Sequence, residues 1–324
     1  MRLRPGVPVF YLGEGVVQIG LRDPMVLQGV GRAEARFLAG LEGRSVPVSA
    51  GERRDFPASV GALDRHPHLL WRDDPARRML EGAVVRWRGC GLPVLEAARI
   101  LALAGVRTMS AVDSRPVSPA DPYPASLRGI PRSEALARAV ADTGAEVRWV
   151  SRESPVHFEV LATHGAADLV AARELLALDV THLLLVSDED GVTVGPVVIP
   201  GKTACAGCLD HARADRDARW PRIALQLGGA ARDVAAHLPA ECSSLAGALA
   251  AREVLATLRG EGRALTRRTL TRRAIGQWRV PTLGEASWAP TEPHPACGCG
   301  AARDVGDALT ASEARMPHAA ALDR

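Results

Sequence analysis

A chain of 324 residues, 47% of them apolar, is long enough to bury a sizeable core and to divide into two or three domains. A formal net charge of +3 argues against a general nucleic-acid binder, although residues 252–279 are locally basic. The opening MRLRPGVPVFYLGEGVVQIG lacks the apolar run of a signal peptide and no stretch reaches bilayer-spanning length, so the expectation is a cytoplasmic protein without membrane association. Six cysteines in a reducing compartment argue against a disulfide framework and for metal or redox chemistry.

In the first eighty residues, VPVFYLG and GVVQIGL are short β-type runs flanking Glu14-Gly15, the pattern of a hairpin. Ala33, Phe37, Leu38 and Leu41 then recur on one side of a helix that Gly43 stops. Residues 51–67, rich in arginine and containing proline, read as a loop, and DPARRMLEG reads as a short helix with Pro75 in its first turn. Residues 1–80 are therefore expected to form a small winged-helix-like module.

From residue 83 strands and helices alternate. AVVRWRG, VRTMSAVD, AEVRWVS and VTHLLLVSD are the strands; PVLEAARILALAG, PRSEALARAVADTG and AADLVAARELLAL are the helices. Such alternation predicts an α/β domain with a Rossmann-like parallel sheet, spanning 81–302, with ligands at the carboxyl ends of its strands. Gly89, Gly91, Asp113 and Asp188 fall at those ends. A helix over about 243–258, strand-like TRRTLTRRAIGQWRV and a mobile tail over 303–324 complete the chain.

Cys205 and Cys208 form a C-x-x-C, and Cys297 and Cys299 a C-x-C about ninety residues on. Two short loops can each deliver two sulfurs to one tetrahedral zinc, whereas a thioredoxin-type redox role needs only the first pair. The second pair favours a closed structural zinc site that staples the C-terminal segment to the domain, with His211 and His294 expected beside it and, as the alternative, one of them replacing a thiolate. The span between the pairs is too long for a DNA-reading finger.

RWRGCGLPVLEAARILALAG has the outline of a strand, glycine turn and helix that would cradle phosphates, with Asp113, 24 residues after Gly89, placed for ribose hydroxyls. Only Gly89 and Gly91 are present: Val94 stands at the third glycine position and Pro93 removes an N–H donor. A tight turn that binds nothing explains the same residues. Asp188 is a candidate Mg²⁺ ligand or a solvated strand end, and Gly201-Lys202-Thr203 lacks the remaining features of a P-loop.

The strand–helix order, GCG, Asp113, Asp188, GPVVIPGKTACAGCLDHARADRDARWP and the terminal HPACGCG together resemble the ThiF/MoeB superfamily, related to ubiquitin-activating enzymes. More closely they resemble its Ocin-ThiF-like, leader-peptide-binding branch in thiazole/oxazole-modified peptide biosynthesis. The resemblance covers about residues 83–300, with 1–80 similar to the small peptide-recognition element of that branch. It implies a precursor leader peptide and a YcaO-type cyclodehydratase as partners, and a homodimer as a plausible assembly. Active members adenylate a carboxylate with ATP, using a full glycine loop, an Asn with an Arg or Gln cluster after the ribose acid, and a downstream Lys. Here Arg115, Arg128 and Arg132 are the only cations in SRPVSPADPYPASLRGIPRSEA, without Asn or Lys, so developing phosphate charge would be poorly neutralised. The implied reading is a non-catalytic adaptor with a vestigial nucleotide site at Gly89, Gly91, Asp113 and Asp188. Val16, Val17, Gln18 and Ile19 are the edge-strand candidates for adding the leader as an extra strand, with Arg32, Arg36 and Phe37 on the adjoining helix. Two readings compete: an adenylating enzyme with Cys242 as thioester nucleophile at a helix N-terminus, and a nucleic-acid binder using Arg267, Arg268, Arg272 and Arg273.

Overall fold

The first hairpin turns through Gly13, Glu14 and Gly15, all at positive φ (85°, 50° and 75°), which is why glycine brackets the single side chain there. In the computed structural model that turn lies in the first of two compact units, Met1–Pro75 and Ala76–Arg324. The structure describes all residues except 1, 5, 45, 72–74, 229–237, 260–275 and 302–324. The tail over 303–324 and Arg267, Arg268, Arg272 and Arg273 lie outside the described residues.

In the first unit β1 (Arg2–Leu3) pairs with β5 (Leu70–Trp71), while β2 (Val9–Gly13), β3 (Val16–Ile19) and β4 (Met25–Leu27) form an antiparallel sheet in that order. Thus β3 is the central strand, with Val17 and Ile19 sealed in the core, and it has no open edge. This corrects the edge role expected of Val16, Val17, Gln18 and Ile19: the chain folds back through Arg22–Pro24, and the short run Met25–Leu27 takes β3's second side. The open edges belong to β2 and β4.

Helix α1 (Arg32–Ala39) follows, then α2 (Ala50–Asp55) and α3 (Pro57–Asp64), so the stretch read as a loop is largely helical. Its start signal is a capping box. Ser49 Oγ accepts the Glu52 N–H at 3.2 Å while the Glu52 carboxylate accepts the Ser49 N–H at 2.8 Å, and Pro57 opens α3 where its missing N–H costs nothing. The arginines are the exposed side of these helices. Phe37 is core, stacked on Phe56 with ring centroids 4.6 Å apart.

The second unit begins with α4 (Pro75–Gly82) and β6 (Val84–Arg88), α5 (Leu92–Ala104), β7 (Thr108–Val112), α6 (Arg132–Ala141) and β8 (Arg148–Trp149). It continues with β9 (Phe158–His164), α7 (Leu169–Ala177), β10 (His182–Asp188), β11 (Gly191–Val198), α8 (Ala206–Arg216) and α9 (Trp220–Gly228). Last come α10 (Ala240–Leu258), β12 (Gly276–Pro281) and β13 (Ser287–Pro290). The eight strands lie in the order β13-β12-β11-β10-β9-β6-β7-β8. Strands β8, β7, β6, β9 and β10 run parallel; β11, β12 and β13 run antiparallel, so the sheet is mixed rather than all-parallel. The fold class is α/β, Rossmann-like.

Alternation along the strands sorts the sheet's faces. Val85, Trp87, Met109, Val160, Leu183 and Leu185 pack with α5, α6 and α10 in the main core. Leu161, Leu184 and Val198 pack with Ala171, Ala172 and Leu175 of α7 and with Cys205 and Cys208. Arg86, Arg88 and Glu159 share the parity of the second face. Glu159, with no exposed surface, accepts from Arg86 Nη1 at 3.0 Å and Arg88 Nε at 2.8 Å, a buried acid held by two cations.

Candidate metal centre and nucleotide crevice

Cys205 caps the N-terminus of α8 and Cys208 lies in its first turn, while Cys297 and Cys299 arrive on the segment after β13. The Sγ atoms stand 3.8 Å apart for Cys205–Cys208, and 3.6 Å for both Cys205–Cys297 and Cys208–Cys299. A tetrahedron of sulfurs about 2.3 Å from a central ion has edges of about 3.8 Å, so the four are spaced to hold one metal ion. As thiols they share protons: the hydrogen bond Cys205 gives Cys208 pushes Cys205 up and brings Cys208 down to about 4, while burial lifts Cys299 to about 11. A divalent cation would take all four as thiolates. Cys297 N–H donates to the His294 carbonyl at 3.0 Å, the His294 ring bonds Asp215 at 2.8 Å and stacks on His211, so both histidines flank the sulfurs. A cavity of about 510 Å³ lies against this group, lined by Leu169, Arg173, Leu176, Pro200, His211 and Cys297.

At the carboxyl end of β6 the structure brings Gly89, Gly91 and Asp113 together. Gly89 sits at φ 87°, and a Cβ there would lie 2.6 Å from the Ala162 carbonyl of β9, so the close strand requires this glycine whether or not anything binds. Gly91 is the N-cap of α5. The Asp113 carboxylate, whose side chain is 3% exposed, accepts four hydrogen bonds from its own chain. The donors are Cys90 N–H (3.0 Å), Arg115 N–H (3.2 Å), Arg115 Nε (2.9 Å) and Arg115 Nη2 (2.8 Å). A carboxylate has about four acceptor positions, so none remains for a ribose hydroxyl. Behind it Tyr123 donates to the Cys90 carbonyl at 2.6 Å, and Arg132 forms a buried ion pair with Asp121 at 2.8 Å. The crevice between these groups has a volume of about 60 Å³, whereas ligand pockets run to roughly 300–1,000 Å³.

Asp188 ends β10 and does not line that crevice. Arg279 of β12 reaches it with both Nη atoms at 2.7 Å; burial would raise the Asp188 pKa, but the guanidinium bonds outweigh it and hold the group below its ordinary value. Sequence reading missed this arginine because it lies among several in one strand-like run. Cys242 lies in the first turn of α10, 3% exposed, with Sγ 3.4 Å from the Val280 carbonyl. Burial raises its pKa, which fits a buried structural cysteine and counts against the competing reading of a thiol activated by the helix N-terminus. Arg32 and Arg36 are exposed on α1, while Phe37 is only 8% exposed. No helix among the described residues is long and apolar enough to cross a membrane.

No protein-family model and no curated protein matches this sequence. Solved structures match it in fold. The microcin biosynthetic enzyme MccB in complex with N-formylated MccA superposes with a TM-score of 0.60 at 14% identity, over 92% of this chain and 99% of that one. E. coli MccB with ATP gives 0.58 at 14% identity over the same shares, and E. coli MccB with MccA gives 0.59, again at 14% identity over 92% and 99%. Over nearly its whole length this chain therefore has the fold of MccB.

Proposed function

We propose that this chain is a non-adenylating adaptor of ribosomal peptide modification, built on a ThiF/MoeB-type body. The first unit binds the leader of a precursor peptide. The second, stapled by zinc on Cys205, Cys208, Cys297 and Cys299, docks a YcaO-type cyclodehydratase, which performs the ATP-dependent closure of Cys, Ser or Thr onto the preceding amide. Zinc supplies folding energy here and no open coordination position, since all four ligands come from the chain.

The observation that carries this reading is Asp113, whose acceptors are filled by Cys90 and Arg115 where an adenylating enzyme needs them for ribose. Arg115, in turn, is committed to that carboxylate, which weakens it as a neutraliser of phosphate. The fold shared with MccB, solved with ATP and with MccA, supports a body of peptide-modification type and keeps adenylation as the second reading. The test is pyrophosphate exchange into ATP with Mg²⁺ and a synthetic candidate precursor peptide. We expect exchange indistinguishable from a protein-free control. Exchange that rises with peptide and disappears in Asp113→Ala would establish the enzyme instead.

A further inference from the structure

Helix α7 is apolar on more than the stripe that it buries. Ala171, Ala172 and Leu175 pack into the core, while Leu169, Arg173 and Leu176, spaced four and three residues apart and so on one neighbouring stripe, line the cavity beside the four sulfurs. At about 510 Å³ that cavity lies in the range of roughly 300–1,000 Å³ that ligand pockets occupy, unlike the nucleotide crevice. Its chemistry is two-sided. The Arg173 guanidinium has no hydrogen-bond or ion-pair partner among the described residues, and no acid lines the cavity. Glu174 follows Arg173 on α7 and Asp215 bonds the His294 ring, but neither is a lining residue. Cys297 and Cys299, by contrast, are partly exposed and line it. As thiolates around a divalent ion the four sulfurs carry net negative charge and accept hydrogen bonds. An occupant therefore meets an unpaired cation, a group of sulfur acceptors, and aliphatic carbon from Leu169, Leu176 and Pro200.

We propose that this cavity captures the C-terminal residue of a partner polypeptide that ends in an aliphatic side chain. A chain terminus carries all three complements on neighbouring atoms: a carboxylate for Arg173, backbone N–H groups for the sulfurs, and a side chain for Leu169 and Leu176. A simple anion brings no donor and no apolar surface, and it is repelled by the sulfur group, which a terminus instead engages through its N–H groups. A fatty acid has the carboxylate and the apolar body but no N–H. The cavity lies in the second unit, so this inference does not rest on leader capture by the first, and its test leaves that reading untouched.

The test titrates the full protein into the peptide Gly-Ser-Gly-Ser-Ala-Leu, labelled with fluorescein at its N-terminus and carrying a free C-terminal carboxylate, with anisotropy as the readout. The same peptide as its C-terminal amide, and a third ending in Ser, separate the carboxylate from the apolar side chain. Arg173→Gln removes the cation, Leu176→Glu puts a charge on the apolar wall, and Arg152→Gln, an exposed arginine after β8, is the control. Circular dichroism and zinc content confirm that each variant folds and keeps its metal. We expect saturable binding of the free acid, and binding at least about tenfold weaker for the amide, for the Ser-ending peptide and for both cavity variants, with Arg152→Gln unchanged. Equal binding of acid and amide, or no saturation below about 1 mM, would overturn the inference. Equal weakening by Arg152→Gln would show attraction to the surface as a whole and overturn it too. So would a protein dimer that Leu176→Glu disperses while no peptide binds, since the cavity would then be a self-interface.

Discussion

Cys208→Ser should lower the zinc content from one ion per chain to near zero and destabilise the second unit by about 4 kcal/mol or more, among the largest effects expected of one substitution. The reason is geometric. Cys205 and Cys208 lie at the N-terminus of α8, whereas Cys297 and Cys299 lie beyond β13, so an ion held by the four would tie two distant segments of chain at one point. Three sulfurs left around a shared ion would recruit water into a site built closed. Elemental analysis of the purified protein, together with thermal unfolding with and without a chelator, checks this. A variant that keeps full zinc and an unchanged melting temperature would show that the sulfurs are not ligands.

Glu159→Ala should cost about 3–5 kcal/mol, because it leaves Arg86 and Arg88 facing each other without their shared acid. Arg86 is 12% exposed and cannot turn to water at little cost, whereas Arg88, at 33%, can do so in part. The control is the triple replacement Arg86→Met, Arg88→Leu and Glu159→Leu, which should recover most of the loss, since a packed apolar group commonly equals a buried ion network in stability. Urea unfolding of the single and triple variants measures both. A single variant within about 0.5 kcal/mol of the parent would mean that the network contributes little.

Periodicity showed β6, α5, β7, α6, α7, β10 and α10, each a long apolar pattern with its own start or stop signal. It missed β9 and β11 for separate reasons. In β9 the buried Glu159 interrupts the apolar run, and its two arginine partners lie seventy residues away in β6. In β11 the glycines at 191 and 195 and Pro196 mimic a loop, although Glu189-Asp190 is a two-residue hairpin turn. The S-x-x-E box at Ser49 was a readable start for α2 and was masked by the arginines that follow it.

The candidate site was legible to the same degree. Cysteine spacing alone proposed the four-sulfur group, because two pairs of thiols can be counted without knowing the fold. What a carboxylate bonds cannot be counted in that way. Asp113 looked available for ribose until the chain folded Arg115 back onto it two residues later, and Asp188 looked available for Mg²⁺ until β12 delivered Arg279. Similarly, the hairpin identified a sheet but not which of its strands stays unpaired, since that depends on whether three further residues join it.

The measurement that tests the central claim most directly is leader binding with and without MgATP. A fluorescein-labelled synthetic leader of a candidate precursor peptide is titrated with the full protein, and anisotropy is read in parallel with and without nucleotide. Saturable binding with the same midpoint in both series is the expected result, because the proposed peptide capture lies in the first unit and the acceptors of Asp113 in the second are taken by its own chain. Binding that occurs only with MgATP, or whose midpoint shifts by tenfold or more when it is added, would contradict the account and make Asp113 and Arg115 parts of a working nucleotide site.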